Sequence, residues 1–241
     1  MRIINLFCDA SIDLETNIAC AGCIVVNQVG KHTELITDRK MIQKNATNNS
    51  AEILAIWLAI REAIKLNEPG TVFRLFSDSK ISLYGMRDWI KNWINNIKPD
   101  GTLVSTSGEP VANQQTFIDI YNMIVENNIK VEFYHQRGHV KDKNISLEKA
   151  RADFIKANKV TPEALYTDIS FISNMNCAID EITRRTLYIY LRENVLSENT
   201  EVYCISPLIY YIRASYLGQY IRNINKTSVS SRHDFKVGYN Q

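Results

Sequence analysis

No stretch of this 241-residue chain holds the ~18 consecutive apolar residues that a membrane-spanning helix needs. The opening Met1-Arg2-Ile3-Ile4-Asn5-Leu6 reaches Asp9 too soon to form a signal-peptide core and has no small-residue cleavage site. These absences predict a cytoplasmic protein without membrane contact. A net charge of only +2 excludes a general polycation, so any nucleic-acid contact must come from a local basic surface. Cysteine is sparse and odd in number: Cys8, Cys20, Cys23, Cys177 and Cys204. An odd set without a secretory signal argues against a disulfide framework. Cys20-Ala21-Gly22-Cys23 has redox or zinc spacing, but it lies inside the apolar run Ile18 to Val26, and residues three apart on a strand face opposite sides. With no second Cys/His pair nearby, these are read as buried structural thiols. There is no internal repeat and no low-complexity segment. Hydrophobic content of 45% and charged content of 22% are ordinary for a globular protein, and the length fits one large domain or a domain plus an extension.

Ile3 to Cys8 reads as a buried strand, rich in β-branched and aromatic residues without a helical period. Ile18 to Asn27 and His32 to Ile42 read as two further strands. The short turn Val29-Gly30-Lys31 makes them an antiparallel hairpin, and the first strand joins their meander. Asn49 to Leu66 carries apolar residues at 3–4 spacing and ends at Glu68-Pro69-Gly70, which predicts a helix. Val72 to Phe76 is a strand, Ser79 to about Asn95 a helix, and Pro99 to Pro110 a polar loop. A helix over Gln114 to Asn127, a strand over Val131 to His135 and a helix over Leu147 to Asn158 follow. A helix between two strands implies a right-handed crossover and parallel pairing. The order therefore predicts an α/β fold: a mixed five-stranded sheet with helices on both faces.

Beyond Lys159-Val160-Thr161-Pro162 the chain is rich in Tyr and Ile. Residues 1–160 are read as the catalytic domain and 161–241 as a small, mostly helical C-terminal extension. Two helices are expected in it, one over about Ile179 to Val195. The other is capped by Ser206 and runs to about Ile224, and the tail Asn225 to Gln241 follows. Arg213, Arg222, Lys226, Arg232 and Lys236 interleave with Tyr210, Tyr211, Tyr216 and Tyr220. That mixture points to an added nucleic-acid or protein contact, with a buried tyrosine core as the plainer reading. Under the first reading a chain ending near Val160 is expected to stay folded and lose affinity.

Four acids occupy distinctive settings: Asp9 after the first strand, Glu52 on the first helix, Asp78 after Phe76-Ser77, and Asp153 on the helix after the last strand. Asp9 and Asp78 are expected at the carboxyl ends of their strands, where α/β sheets place their sites. Carboxylates gathered from distant segments repel unless a cation lies between them, and hard oxygen ligands suit Mg²⁺ or Mn²⁺. Each acid has a plainer reading when taken alone. Asn49 and Glu52 form an Asn-x-x-Glu capping box. Asp78 is a fair N-cap, Asp9 a fair turn residue, and Asp153 an ordinary solvated helix position.

Taken together the segments resemble type-one ribonucleases H over roughly residues 1–160. Thr47-Asn48-Asn49-Ser50-Ala51-Glu52 resembles that family's Thr-Asn-Asn-x-x-Glu, and Phe76-Ser77-Asp78-Ser79 its strand-ending Asp-Ser. Asp88-Trp89-Ile90-Lys91-Asn92-Trp93 resembles the helix leading into its substrate-binding protrusion. Arg137-Gly138-His139 resembles its basic-Gly-His, which precedes the helix bearing the last Asp. The resemblance implies an endonuclease that cuts the RNA strand of RNA–DNA hybrids with two Mg²⁺ ions, Mn²⁺ substituting, and leaves 5′-phosphate and 3′-hydroxyl ends. It implies Asp9, Glu52, Asp78 and Asp153 as metal ligands and His139 as a proton or product shuttle. Ser11, Asn48 and Asn49 become candidates for the RNA strand and Thr47 for DNA phosphate. Lys80, Trp89 and Trp93 join them as candidate substrate contacts, with one Trp expected buried and Trp93 partly exposed. His135, on the strand, is read as structural. Two alternatives remain at this level: a non-catalytic nucleic-acid-binding module on the same fold, and a nuclease of the same superfamily acting on DNA.

Overall fold

The computed structural model describes residues 2–29, 32–140 and 143–194. Cys204, the helix expected from Ser206 to Ile224 and the tail from Asn225 lie outside the described residues, as do Gly30, Lys31 and Lys141. Five strands form one mixed sheet: β1 (Arg2–Asp13), β2 (Ile18–Val29), β3 (His32–Gln43), β4 (Thr71–Ser77) and β5 (Lys130–His135), in the order β3-β2-β1-β4-β5. β1, β2 and β3 pair antiparallel, while β4 runs parallel to β1 and β5 parallel to β4. The helices are α1 (Asn48–Lys65), α2 (Lys80–Tyr84), α3 (Ile90–Asn95), α4 (Gln114–Glu126), α5 (Leu147–Asn158) and α6 (Ile169–Asn194). The mixed α/β sheet expected from the sequence is the one observed.

Strand alternation decides what each face holds. Ile4, Leu6 and Cys8 of β1 point into a core shared with α1, where Ala55, Ala59 and Ala63 allow close packing. Phe7 points the other way, into a core with Ile24, Phe76, Phe154 of α5 and Phe171, Ile172, Met175 and Ile179 of α6. Phe7 and Phe76 stack at 4.8 Å, and Phe171 meets Phe7 edge-on at 5.7 Å. Cys20 and Cys23 fall on opposite faces as their spacing predicts, both buried and unpaired.

Four expectations are corrected. β1 does not stop before Asp9. It continues to Asp13 as a hairpin with β2, because Ala10 and Ile12 pack against Ala19, Ala46 and Ala51. The parallel pairing with β4 does stop, at Phe7 opposite Phe76, so Asp9 still stands just beyond it. The capping box of α1 is not Asn49 with Glu52. Thr47 Oγ1 accepts from the Ser50 amide at 3.1 Å and Ser50 Oγ from the Thr47 amide at 2.8 Å, which leaves Glu52 to face the sheet. The helix expected from Ser79 to Asn95 is interrupted by a π-helical turn at Gly85–Trp89. Finally, the helix expected to begin near Ile179 begins at Ile169, where Asp168 Oδ1 accepts from the Phe171 amide at 2.6 Å.

Candidate metal centre

Asp9, Glu52 and Asp78 come from the middle of β1, the second turn of α1 and the residue after β4. One oxygen of each lies within 4.8 Å of the others. Asp9 is 6% and Glu52 9% exposed, so neither charge has bulk water to screen it. Glu52 Oε2 is buried without a hydrogen-bond partner. An orphan carboxylate oxygen inside a group of acids is costly unless a proton or a cation answers it. Three hard oxygen donors fit Mg²⁺ or Mn²⁺.

The same crowding governs protonation. Burial first, then Asp78 and Asp180, pushes Glu52 from its ordinary 4.5 up to about 8. Burial, Asp78 and Glu52 raise Asp9 well above the usual carboxylate range. Asp78 is raised by burial, against which a hydrogen bond from Asn176 and the nearby His139 act. Glu52 therefore keeps in the folded state a proton that the unfolded chain releases above pH 4.5. Without metal, its contribution to stability is full below that pH and is lost as pH rises to about 8. His135 acts oppositely: burial lowers it from 6.5 to about 4, so its contribution grows with pH over that interval and levels off above it. In EDTA, thermal melts should fall between pH 6.5 and about 8, and the fall should shrink in Glu52→Gln. A flat profile, or an equal fall in the variant, would contradict the crowded site.

The loop after β5 holds Asp78 in place. A Cβ on Gly138 would overlap the Asp78 carboxylate, so any larger residue there would force that carboxylate to move. Asn176 Nδ2 donates to Asp78 Oδ2 at 3.4 Å, and Gln136 Nε2 donates to Asn176 Oδ1. His135 Nε2 lies 3.2 Å from the Asp78 carbonyl oxygen, and its half-buried ring agrees with a structural role. His139 follows in an exposed, left-handed conformation (φ 54°) on the Asp78 side. Asp153 is not brought into the three-carboxylate group. It lies on α5 in an ion pair with Arg137.

The substrate candidates are spread around this centre. Asn48 and Asn49 are exposed at the start of α1, and Thr47 is engaged as its cap. Lys80 is exposed at the start of α2. The two tryptophans are reversed from expectation: Trp93 is 9% exposed, edge-on to Phe117 at 5.2 Å, and Trp89 is 40% exposed. A π-helical turn at Gly85–Trp89 leads into α3, and the second ring, not the first, meets α4. Ser11 is not open: its hydroxyl lies 3.0 Å from Thr183 Oγ1 of α6. Sequence reasoning missed Asn176, which the expected start near Ile179 left outside the helix, and Thr183, which lay inside it and read as an ordinary polar position.

The family model described as RNase H matches residues 1–161. A ribonuclease H of Ruthia magnifica subsp. Calyptogena magnifica is 32% identical over 120 residues, covering 48% of this chain and 74% of that protein. Among solved structures, the PFV RNase H domain is 18% identical with a TM-score of 0.46, covering 66% of this chain and 92% of its own. LC9-RNase H1, described as a type 1 RNase H with the type 2 active-site motif, is 20% identical with a TM-score of 0.47, covering 66% and 72%. The match across residues 1–161, carrying the clustered carboxylates of β1, α1 and β4, means that the chain belongs to the ribonuclease H family of endoribonucleases.

Proposed function

We propose that this protein hydrolyses the RNA strand of RNA–DNA hybrids endonucleolytically, in the cytoplasm, using two Mg²⁺ ions that Mn²⁺ can replace. The observation that carries the proposal is the buried triad Asp9, Glu52 and Asp78 with its orphan Glu52 oxygen. The bound ions would supply an activated water on one side of the scissile phosphate and charge stabilisation of the leaving 3′-oxygen on the other. Asp9, central on β1, would help hold the ions on both sides, and Glu52 and Asp78 on the leaving-group side. Asp153 would do so on the nucleophile side, for which it would have to release Arg137. Both side chains of that pair are 36% exposed, so the exchange costs little. Residues 1–160 are taken as the catalytic domain, with the remainder an extension whose α6 packs on the sheet.

Asn48, Asn49 and the backbone near Ser11 are assigned to the 2′-hydroxyls that mark the RNA strand. Thr47 and Lys80 are assigned to phosphate. Trp89 is the tryptophan with surface to offer a DNA sugar. His139, exposed on its loop, moves a proton or helps product leave. His139→Ala should slow turnover by roughly 10²-fold while hybrid affinity holds, since a general acid–base group acts on the reaction and not on binding. A loss as complete as that of Asp9→Asn would make it a ligand or an anchor. End analysis of the products tests the chemistry: 5′-phosphate and 3′-hydroxyl termini are expected, and 2′,3′-cyclic ends would refute the metal-assisted route.

A further inference from the structure

We propose that Asp180 of α6 is an additional carboxylate of the metal centre, so that a divalent cation held by Asp9, Glu52 and Asp78 also draws on a helix outside the ribonuclease H segment. The proposal rests on the metal-centre reading above and adds a residue to it. Asn176, Asp180 and Thr183 are spaced i, i+4 and i+7, which puts them on one stripe of α6. The two ends of the stripe are fixed on the site. Asn176 donates to Asp78 at 3.4 Å, and Thr183 meets Ser11 at 3.0 Å. Ser11 lies two residues beyond Asp9 on the same face of β1. Asp180 is therefore set between Asp78 and the strand that carries Asp9.

The helix is pressed against the sheet at that level. Gly22 pairs with Asp9 across β1 and β2, and a Cβ there would lie 2.6 Å from Thr183 Cγ2 and 3.1 Å from Ile179 Cδ1. Glycine at this position is what lets α6 approach. The neighbouring acid, Glu181, is taken by Arg184 and Arg185. Asp180 has no such cation among the described residues; it stands outside the three oxygens that lie within 4.8 Å of one another, between the two α6 side chains that are bonded to Asp78 and Ser11. Glu52 Oε2, buried within the group and without any donor, marks the place where a cation is wanted, on the side of the group that α6 covers. A further acid brought over such a group only adds repulsion unless a cation is the intended occupant. The placement also couples metal binding to the docking of α6.

Calorimetric titration of the full chain with Mn²⁺ alone tests this without relying on turnover. Asp180→Asn should weaken Mn²⁺ binding by about tenfold or more, as loss of a group at the ion does, and Asp180→Glu should recover part of it. Glu181→Gln removes the same charge one residue away and should change affinity by less than about twofold, because that charge is screened by solvent and its own arginines. If Asp180→Asn binds Mn²⁺ like wild type, or if Glu181→Gln weakens binding equally, Asp180 is no ligand and the inference fails. Asp9→Asn serves as the reference. If it leaves Mn²⁺ affinity unchanged, the metal centre itself is wrong and this inference falls with it. If the titrations come out as expected but the wild type cuts no hybrid, the Asp180 assignment stands and the hybrid-nuclease reading is what fails.

Discussion

Asp9→Asn should reduce hybrid cleavage by roughly 10³-fold or more, about 4 kcal/mol of transition-state stabilisation, while the protein stays folded. Asp9 is the most enclosed of the three carboxylates, on the central strand, and every other acid of the group is placed around it. The amide is nearly isosteric, so Phe7 and the β1–β2 ladder need not move. The amide also removes a charge that burial, Asp78 and Glu52 already disfavour. The variant should therefore melt at a higher temperature than wild type in EDTA, above the pH at which Asp9 ionises. Lower activity together with higher metal-free stability separates a catalytic carboxylate from a structural one. A variant that turns over at near-native rate in Mg²⁺ would overturn the assignment, and one that fails to fold would make Asp9 a packing residue.

The second large effect concerns α6. Ending the chain after Val160 should remove cooperative folding, contrary to what the sequence suggested for that boundary. Phe171, Ile172, Met175, Ile179 and Leu187 are all buried. At ~1.5–3 kcal/mol for each buried apolar side chain, their loss is on the order of 10 kcal/mol, comparable with the whole stability of a typical domain. It would also bare Phe7, Ile24, Val26 and Phe76 on the central strands, an apolar surface prone to association. Circular-dichroism melts of the truncated and full chains measure this directly. A sharp transition near that of the full chain would show that α6 is dispensable packing.

The strands and most helices were legible because each carries its own period: Ile3 to Cys8, Ile18 to Asn27 and Leu147 to Asn158 needed no long-range information. The three clustered acids were legible because Asp9 and Asp78 follow apolar runs and Glu52 sits in a recognisable helix start. What the sequence could not reveal depended on contacts between distant segments. The continuation of β1 past Asp9 needs Ala10 and Ile12 to find Ala19, Ala46 and Ala51. The exchange of roles between Trp89 and Trp93 depends on the contact of Trp93 with Phe117 of α4, which no spacing rule marks. The Arg137–Asp153 ion pair depends on how the loop after β5 returns to α5. The stripe of Asn176, Asp180 and Thr183 reads as ordinary polar helix surface until α6 is laid over β1 and β2. Gly138 looked like loop punctuation, and its need for glycine appears only beside Asp78.

The measurement that bears most directly on the central claim is a substrate panel for the full chain. Strand-labelled RNA–DNA hybrid, duplex RNA and duplex DNA are each incubated with Mg²⁺ or with EDTA. The carboxylate centre predicts internal cuts in the RNA strand of the hybrid, in Mg²⁺ only, with both duplexes left intact. Cleavage that persists in EDTA, cleavage of duplex DNA in preference to hybrid, or an uncut hybrid in Mg²⁺ would contradict it.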